Sequence, residues 1–271
     1  MRFFAVLAIA ILGFLPARAH DANATYLGNE GVMVTRGDTK ILFDAFYADS
    51  YDQYVLVPRT ITNALLSDTP PFDGVDAIFV SHVHGDHFSA EPTIAYLRAH
   101  GAVTFYAPLQ VREALLDAGL DENDPLLSRV KAFDLGPDDD PVSFEVGGLS
   151  VDVVAIPHAG DWPEIQNFVW RVAMDDKTTV MHLGDAGTVR SDFERHANYF
   201  AAKKTHAAFI PYWFYLNEAG RGILGDYLKA DQTIGMHVPA VAIGNGDAYR
   251  EQAGGDLFTD PGETRQISSK D

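Results

Sequence analysis

Ser81-His82-Val83-His84-Gly85-Asp86-His87-Phe88 places three imidazoles and a carboxylate within the six positions from His82 to His87. An apolar run of strand length, Val75 to Val80, precedes it, so these groups sit where a buried strand emerges into a loop. His82 and His84 share a direction because side chains alternate, and Gly85 lets the backbone turn and redirect Asp86 and His87. Donors aimed in two directions suggest two metal ions. Neutral imidazole and carboxylate suit zinc, with manganese(II) and iron(II) as alternatives.

Working outward, the remaining composition narrows the chemistry. The chain of 271 residues has no cysteine, so every metal ligand must be His, Asp or Glu and no disulfide is available. Arg2, the apolar run Phe3 to Leu15 and Ala17-Arg18-Ala19 read as an export signal, residues 1–19, cleaved before His20. The apolar run is shorter than the roughly 20 residues that span a bilayer, so no stable membrane anchor is expected after cleavage. The expected location is the periplasm or the medium. A net charge of −18, deepened to −20 by loss of the two leader arginines, disfavours nucleic acid and anionic membrane as partners. A small-molecule substrate is the expected partner, and residues 20–271 suffice for one domain. Phosphate-binding loops, dinucleotide glycine fingerprints, a Gly-x-Ser-x-Gly elbow and internal repeats are all absent.

Along the chain, Thr25–Asn29, Gly31–Thr35 and Lys40–Phe43 read as an opening set of strands, the third ending at Asp44. Ser89 reads as the cap of a helix reaching about His100, and strand and helix patterns then alternate. Val142–Val146 and Leu149–Ile156 form a hairpin ending in Pro157-His158. Thr178–His182 runs into Gly184-Asp185-Ala186-Gly187, and His182 reads as a packed strand histidine. Strand patterns at Gln232–Gly235 and Ala240–Ile243 flank Met236-His237-Val238-Pro239. Asp138-Asp139-Asp140 reads as a solvated turn. Tyr47, Tyr51 and Tyr54, in a stretch without a clear period, are candidates for a cleft, as are Tyr212, Trp213 and Phe214 after the strand ending at Pro211.

Ser81 to Phe88 resembles the His-x-His-x-Asp-His signature of the metallo-β-lactamase superfamily. Tyr26 to Val34 followed by Lys40 to Asp44 resembles the opening of its lactonase-like and N-acylphosphatidylethanolamine phospholipase D-like branch. The resemblance implies an α/β fold, a four-layer αββα sandwich of two mixed sheets. It implies that His82, His84 and His158 bind one divalent ion, that Asp86, His87 and His237 bind a second, and that Asp185 bridges them, with Asp44 beneath the metal loop. Asp86 and Asp185 are then the carboxylates of a catalytic centre in which a hydroxide between the ions attacks an ester, lactone or phosphodiester. A β-lactam hydrolase and a non-catalytic periplasmic zinc-binding protein are the alternatives.

Overall fold

Apolar residues face both ways along most strands of this chain, which a sheet tolerates only when each of its faces is covered. The computed structural model describes residues 22–268; the expected leader, residues 1–19, and the expected mature terminus at His20 lie outside the described residues. In chain order the strands are β1 (Ala22–Gly28), β2 (Gly31–Arg36), β3 (Thr39–Phe43), β4 (Ala77–Phe79), β5 (Thr104–Pro108), β6 (Val130–Phe133), β7 (Val142–Val146), β8 (Leu149–Ala155), β9 (Phe168–Ala173), β10 (Thr179–His182), β11 (Ala207–Pro211), β12 (Gln232–Met236) and β13 (Thr264–Ile267). Among the described residues they form two sheets, ordered β13-β1-β2-β3-β4-β5-β6 and β12-β11-β10-β9-β8-β7.

Both sheets are mixed. β13, β1, β2 and β3 pair antiparallel, whereas β3 to β6 run parallel. In the second sheet β10, β11 and β12 are parallel and β7 to β10 antiparallel. The parallel runs matter for function because their carboxyl ends open together on one edge, where crossover loops can converge.

The inner faces of the sheets meet in one apolar layer in which Tyr26, Val34, Phe43 and Phe79 face Val151, Trp170, Val172 and Phe209. The outer face of the first sheet is covered by α1 (Arg59–Leu66), α2 (Ala90–Ala99) and α3 (Leu109–Asp117), which bury Leu65, Leu97 and Leu115 against Leu42, Ile78 and Phe105. The outer face of the second is covered by α4 (Arg190–Arg195), α5 (Ala197–Ala202), α6 (Glu218–Ile223) and α7 (Gly246–Ala253), with Phe193, Phe200 and Ile223 packed on Val169, Met181 and Ile210. The order of layers is therefore αββα, as expected.

Several local expectations change. Ser89 occupies the position before α2, but its hydroxyl accepts from the Ala48 amide at 2.9 Å instead of capping the helix. The Ser89 amide donates to Phe46 at 2.8 Å, so this residue fastens the segment after β3 to the metal loop. Ala240–Ile243 is not a strand: Pro239 starts a 3-10 turn at Ala240–Ala242, leaving Val241 and Ile243 exposed. The final strand, β13, pairs antiparallel with β1 at the sheet edge.

Candidate metal centre

Each candidate ligand leaves the end of a strand. The loop after β4 carries His82, His84, Asp86 and His87; His158 follows β8, Asp185 follows β10 and His237 follows β12. The first group therefore comes from one sheet and the other three residues from the second. Hydrogen bonds across the sandwich set their relative height. The Trp170 indole donates to the Val80 carbonyl at 2.9 Å, and the Phe168 amide donates to Ser81 at 2.9 Å. The Ala159 amide donates to Asp185 at 2.7 Å and the Gly187 amide to Pro157 at 2.9 Å, locking the His158 and Asp185 loops side by side.

All seven residues converge. Nε2 of His82 lies 3.1 Å from Nδ1 of His84, and the His158 ring centroid is 4.8 Å and 4.7 Å from theirs. Nε2 of His237 lies 3.2 Å from both Asp86 and Asp185; Nε2 of His87 lies 3.6 Å and 3.4 Å from the same two carboxylates. Asp185 also comes within 3.4 Å of Nε2 of His158, which places its two oxygens between the groups. Two ligand atoms on a tetrahedral zinc, each about 2.1 Å from the ion, are separated by about 3.4 Å. The observed spacings bracket that edge.

Four of the polar atoms at the centre have no other use. Nε2 of His87, His158 and His237 and one oxygen of Asp185 are buried without a hydrogen-bond partner in the protein, a costly arrangement that a cation would satisfy. Three of the outward nitrogens are held. Nδ1 of His87 donates to Asp44 at 2.9 Å, Nδ1 of His158 donates to the Ala159 carbonyl at 2.6 Å, and Nδ1 of His82 lies 2.9 Å from the Ser81 hydroxyl. Such partners orient a ligating imidazole and leave its other nitrogen free.

Electrostatics separates the rings. Burial, followed by the neighbouring His87, presses His82 well below its ordinary value, and burial with His158 lowers His84, so both favour the neutral form. Burial also acts downward on His87 and His237, but the negative charge of Asp185 outweighs it. With the Asp44 carboxylate accepting from Nδ1 of His87, that charge raises His87 well above its usual range, and with the Asp86 carboxylate 3.2 Å away it pushes His237 up to about 10. Asp185 is the reciprocal case: burial acts upward, yet His237 and His87 hold its carboxyl well below normal. Carboxylates that stabilise protonated imidazoles at two rings can stabilise metal cations there instead.

The backbone beneath the centre is strained. Asn29, Asp44 and His237 adopt φ of +41°, +40° and +60°, left-handed conformations that are unfavourable for residues other than glycine. Each has a task at the site. The Asn29 amide donates to the carbonyl and carboxylate of Asp86 at 3.0 and 3.1 Å, and Asp44 accepts from the Ser81 amide and hydroxyl at 2.7 and 2.5 Å as well as from His87. Gly184, at φ +50°, lies so close to Ser81 that an added Cβ would sit 2.4 Å from Ser81 Cβ. Asn167 donates to Ile156 and Leu183 and accepts from the Asp185 amide at 2.9 Å, fixing the Asp185 turn. Asn29 and Asn167 escaped the sequence reading, since an asparagine beside a turn carries no mark of its distant partner.

His182 is a packed histidine: Nε2 donates to the Glu30 carbonyl at 3.0 Å, Nδ1 accepts from Gly184, and the ring stacks on Phe43. Glu30 itself is buried, and burial with the charge of Asp185 raises its carboxyl well above the usual range.

The cleft over the centre departs from expectation. A cavity of about 530 Å³ is lined by Tyr51, Gln53, Tyr54, His84, Asp86, His158, Trp162, Asp185 and His237. Phe214 is fully buried among Phe193 and Ile223, so it is a core residue and not a substrate residue. Trp213 donates its indole N–H to Ala186 at 3.1 Å and packs its ring edge against His237; Tyr212 packs against Trp213. These two brace the ligands from behind and do not line the cavity. Tyr47 is likewise buried, its hydroxyl donating to the Val55 carbonyl. Tyr51 and Tyr54 do reach the cleft, together with Trp162, which carries no signal in the sequence because one tryptophan in a loop has no periodic signature.

The sequence matches the family model described as "Beta-lactamase superfamily domain" over residues 39–211. Among curated proteins none matches. The fold resembles solved structures of low sequence identity. Igni18, a metallo hydrolase from Ignicoccus hospitalis, is 17% identical with a TM-score of 0.59, the match covering 92% of this chain and 99% of that one. The metallo-β-lactamase fold protein YhfI from Bacillus subtilis is 15% identical with a TM-score of 0.56, covering 91% and 99%. An isothiocyanate hydrolase from Delia radicum gut bacteria is 14% identical with a TM-score of 0.55, covering 90% and 98%.

Proposed function

The chain belongs to the metallo-β-lactamase superfamily, and from that premise we propose that it is a metal-dependent hydrolase with a dinuclear centre that cleaves an ester, lactone or phosphodiester. The observation that carries this reading is the convergence of seven His and Asp side chains from both sheets, with their inward atoms spaced like ligands and those of His87, His158, His237 and Asp185 buried without a partner in the protein. His82, His84 and His158 would hold one ion, Asp86, His87 and His237 the other, and Asp185 both. Zinc suits five imidazoles and two carboxylates best, with manganese(II) and iron(II) as alternatives.

Divalent ions bound there would polarise a carbonyl or phosphoryl oxygen and make water a competent nucleophile near neutral pH. The protein's own residues do the rest. Asp44 keeps the proton of His87 on Nδ1, Asn29 orients Asp86, and Asn167 holds the backbone of Asp185, so the donors are organised before any substrate arrives. The export-signal composition of residues 1–19 supports a periplasmic or secreted enzyme, and the acidic balance supports a small molecule over nucleic acid as its partner.

Elemental analysis of metal-replete protein, combined with hydrolysis of lactones, aryl esters, phosphodiesters and cephalosporins, tests the reading. About two divalent ions per chain and metal-dependent turnover are expected, and Asp185→Ala should abolish turnover while the protein stays folded. A single tightly held ion at saturation would overturn the dinuclear centre. Full metal loading with no turnover on any substrate would favour a zinc-binding protein.

A further inference from the structure

The walls of the cleft carry a second message, independent of the ligands. Five segments surround the centre: 45–58, 81–88, 157–167, 184–189 and 236–245. Together they contain no lysine and no arginine. The nearest basic residue to follow the Asp185 turn, Arg190, is engaged by Asp226 at 2.6 Å. The same segments present exposed acids, Asp49, Asp52, Asp161 and Glu164. Any anionic group on a substrate outside the reacting centre would thus meet negative charge and no counter-ion.

What the walls do offer is aromatic. Trp162 is 50% exposed with its ring 5.3 Å from that of His84, and Tyr51 is 48% exposed with its hydroxyl accepting from the Gly85 amide at 3.1 Å. Tyr54 stands edge-on to His237 at 4.1 Å. The apolar surface continues beyond the cleft. The Ala240 amide donates to Gln53 at 2.7 Å, so exposed Val241 and Ile243 lie on a segment fastened to the one that bears Tyr51 and Leu56. Large exposed apolar side chains beside a concave site are more informative than the same residues scattered singly.

We propose that this cleft takes an uncharged substrate whose apolar substituent packs against Trp162, Tyr51 and Tyr54, and that it excludes substrates bearing a carboxylate or phosphate away from the bond to be broken. The selection deepens the hydrolase reading, on which it rests, toward a neutral ester or lactone and away from phosphodiesters and carboxylated β-lactams. Affinity for the apolar part comes from removing aromatic surface from water, and discrimination comes from the unpaired acids at the mouth.

The test separates binding from turnover. The probes are two hydrolysis-resistant anilides, phenylacetanilide and the analogue with a para-carboxylate, titrated calorimetrically into metal-loaded protein. The neutral anilide should bind roughly tenfold or more tightly, a gap of about one decade in Kd, and added salt should narrow it by screening the acids. Trp162→Ala should weaken the neutral anilide by roughly tenfold without changing the metal content. Asp161→Lys should strengthen the carboxylated probe selectively. Equal or tighter binding of the carboxylated probe, no binding of the neutral one, or indifference to Trp162→Ala would overturn the proposal. Preferential binding of the neutral anilide with no hydrolysis of any ester, lactone or phosphodiester would instead sink the hydrolase reading and leave the selectivity standing.

Discussion

At the scale of single residues the centre is a set of paired tasks, one group facing the ligand position and another holding it. Asp44 never reaches that position, yet it fixes the proton of His87 and both polar groups of Ser81. Asp44→Asn keeps the shape but loses the charge, so metal affinity should fall about 10–100-fold, as competition with a chromogenic chelator would read. A pH dependence follows from His237. Its folded value is pushed up to about 10 by Asp185 against the opposing effect of burial, whereas an unperturbed histidine titrates at 6.5. A raised folded value stabilises fully below the unfolded one and is lost as pH rises through the folded one. Metal-free protein should therefore melt at progressively lower temperature between pH 6.5 and 10, while metal-loaded protein, in which an ion takes the place of the proton, should not. A flat melting profile for the metal-free protein across that range would refute the assignment. Phe214 answers a different question. Because it is fully buried, Phe214→Ala should cost about 3–5 kcal/mol of stability, and the protein that remains folded should retain its substrate preference.

At the scale of elements, the sandwich works as a jig. The strand β10 must turn within a few residues to present Asp185, and only a glycine can occupy the left-handed position pressed against Ser81. Gly184→Ala should push the Asp185 turn away from the loop after β4, so that both metal content and turnover fall even where folding survives. Near-normal metal loading in that variant would show that the turn can shift at no functional cost. Ser89 makes the same point about elements from the other side. Its position before α2 reads as a cap, but its hydroxyl serves the Ala48 amide, because the segment after β3 passes close enough to compete. Local helix chemistry yields there to a contact made by the sheet.

At the scale of the whole molecule, the ligands come from two sheets that already meet through apolar packing and a few hydrogen bonds, so bound metal should act as a further staple. Ions held at concentrations about 100-fold above their dissociation constant would add about 2.7 kcal/mol per site. Chelation should lower Tm in a single transition seen equally by far-UV and tryptophan signals. Two separated transitions would mean that the halves unfold independently. Much of this was legible in the chain itself. The dense cluster from His82 to His87, the strand patterns around it and the absence of cysteine specify metal chemistry, an α/β fold and a ligand alphabet of His, Asp and Glu, because periodicity and donor type are properties of local sequence. His158, Asp185 and His237 could be picked out only through a resemblance. What the tertiary structure decided lies between segments far apart in the chain. It placed Asn29 under Asp86 and Asn167 under Asp185, turned Phe214 into the core, and set Trp162 beside His84. Those relations arise from the packing of one sheet on another, and distance across a sandwich leaves no period or spacing in the sequence that produces it.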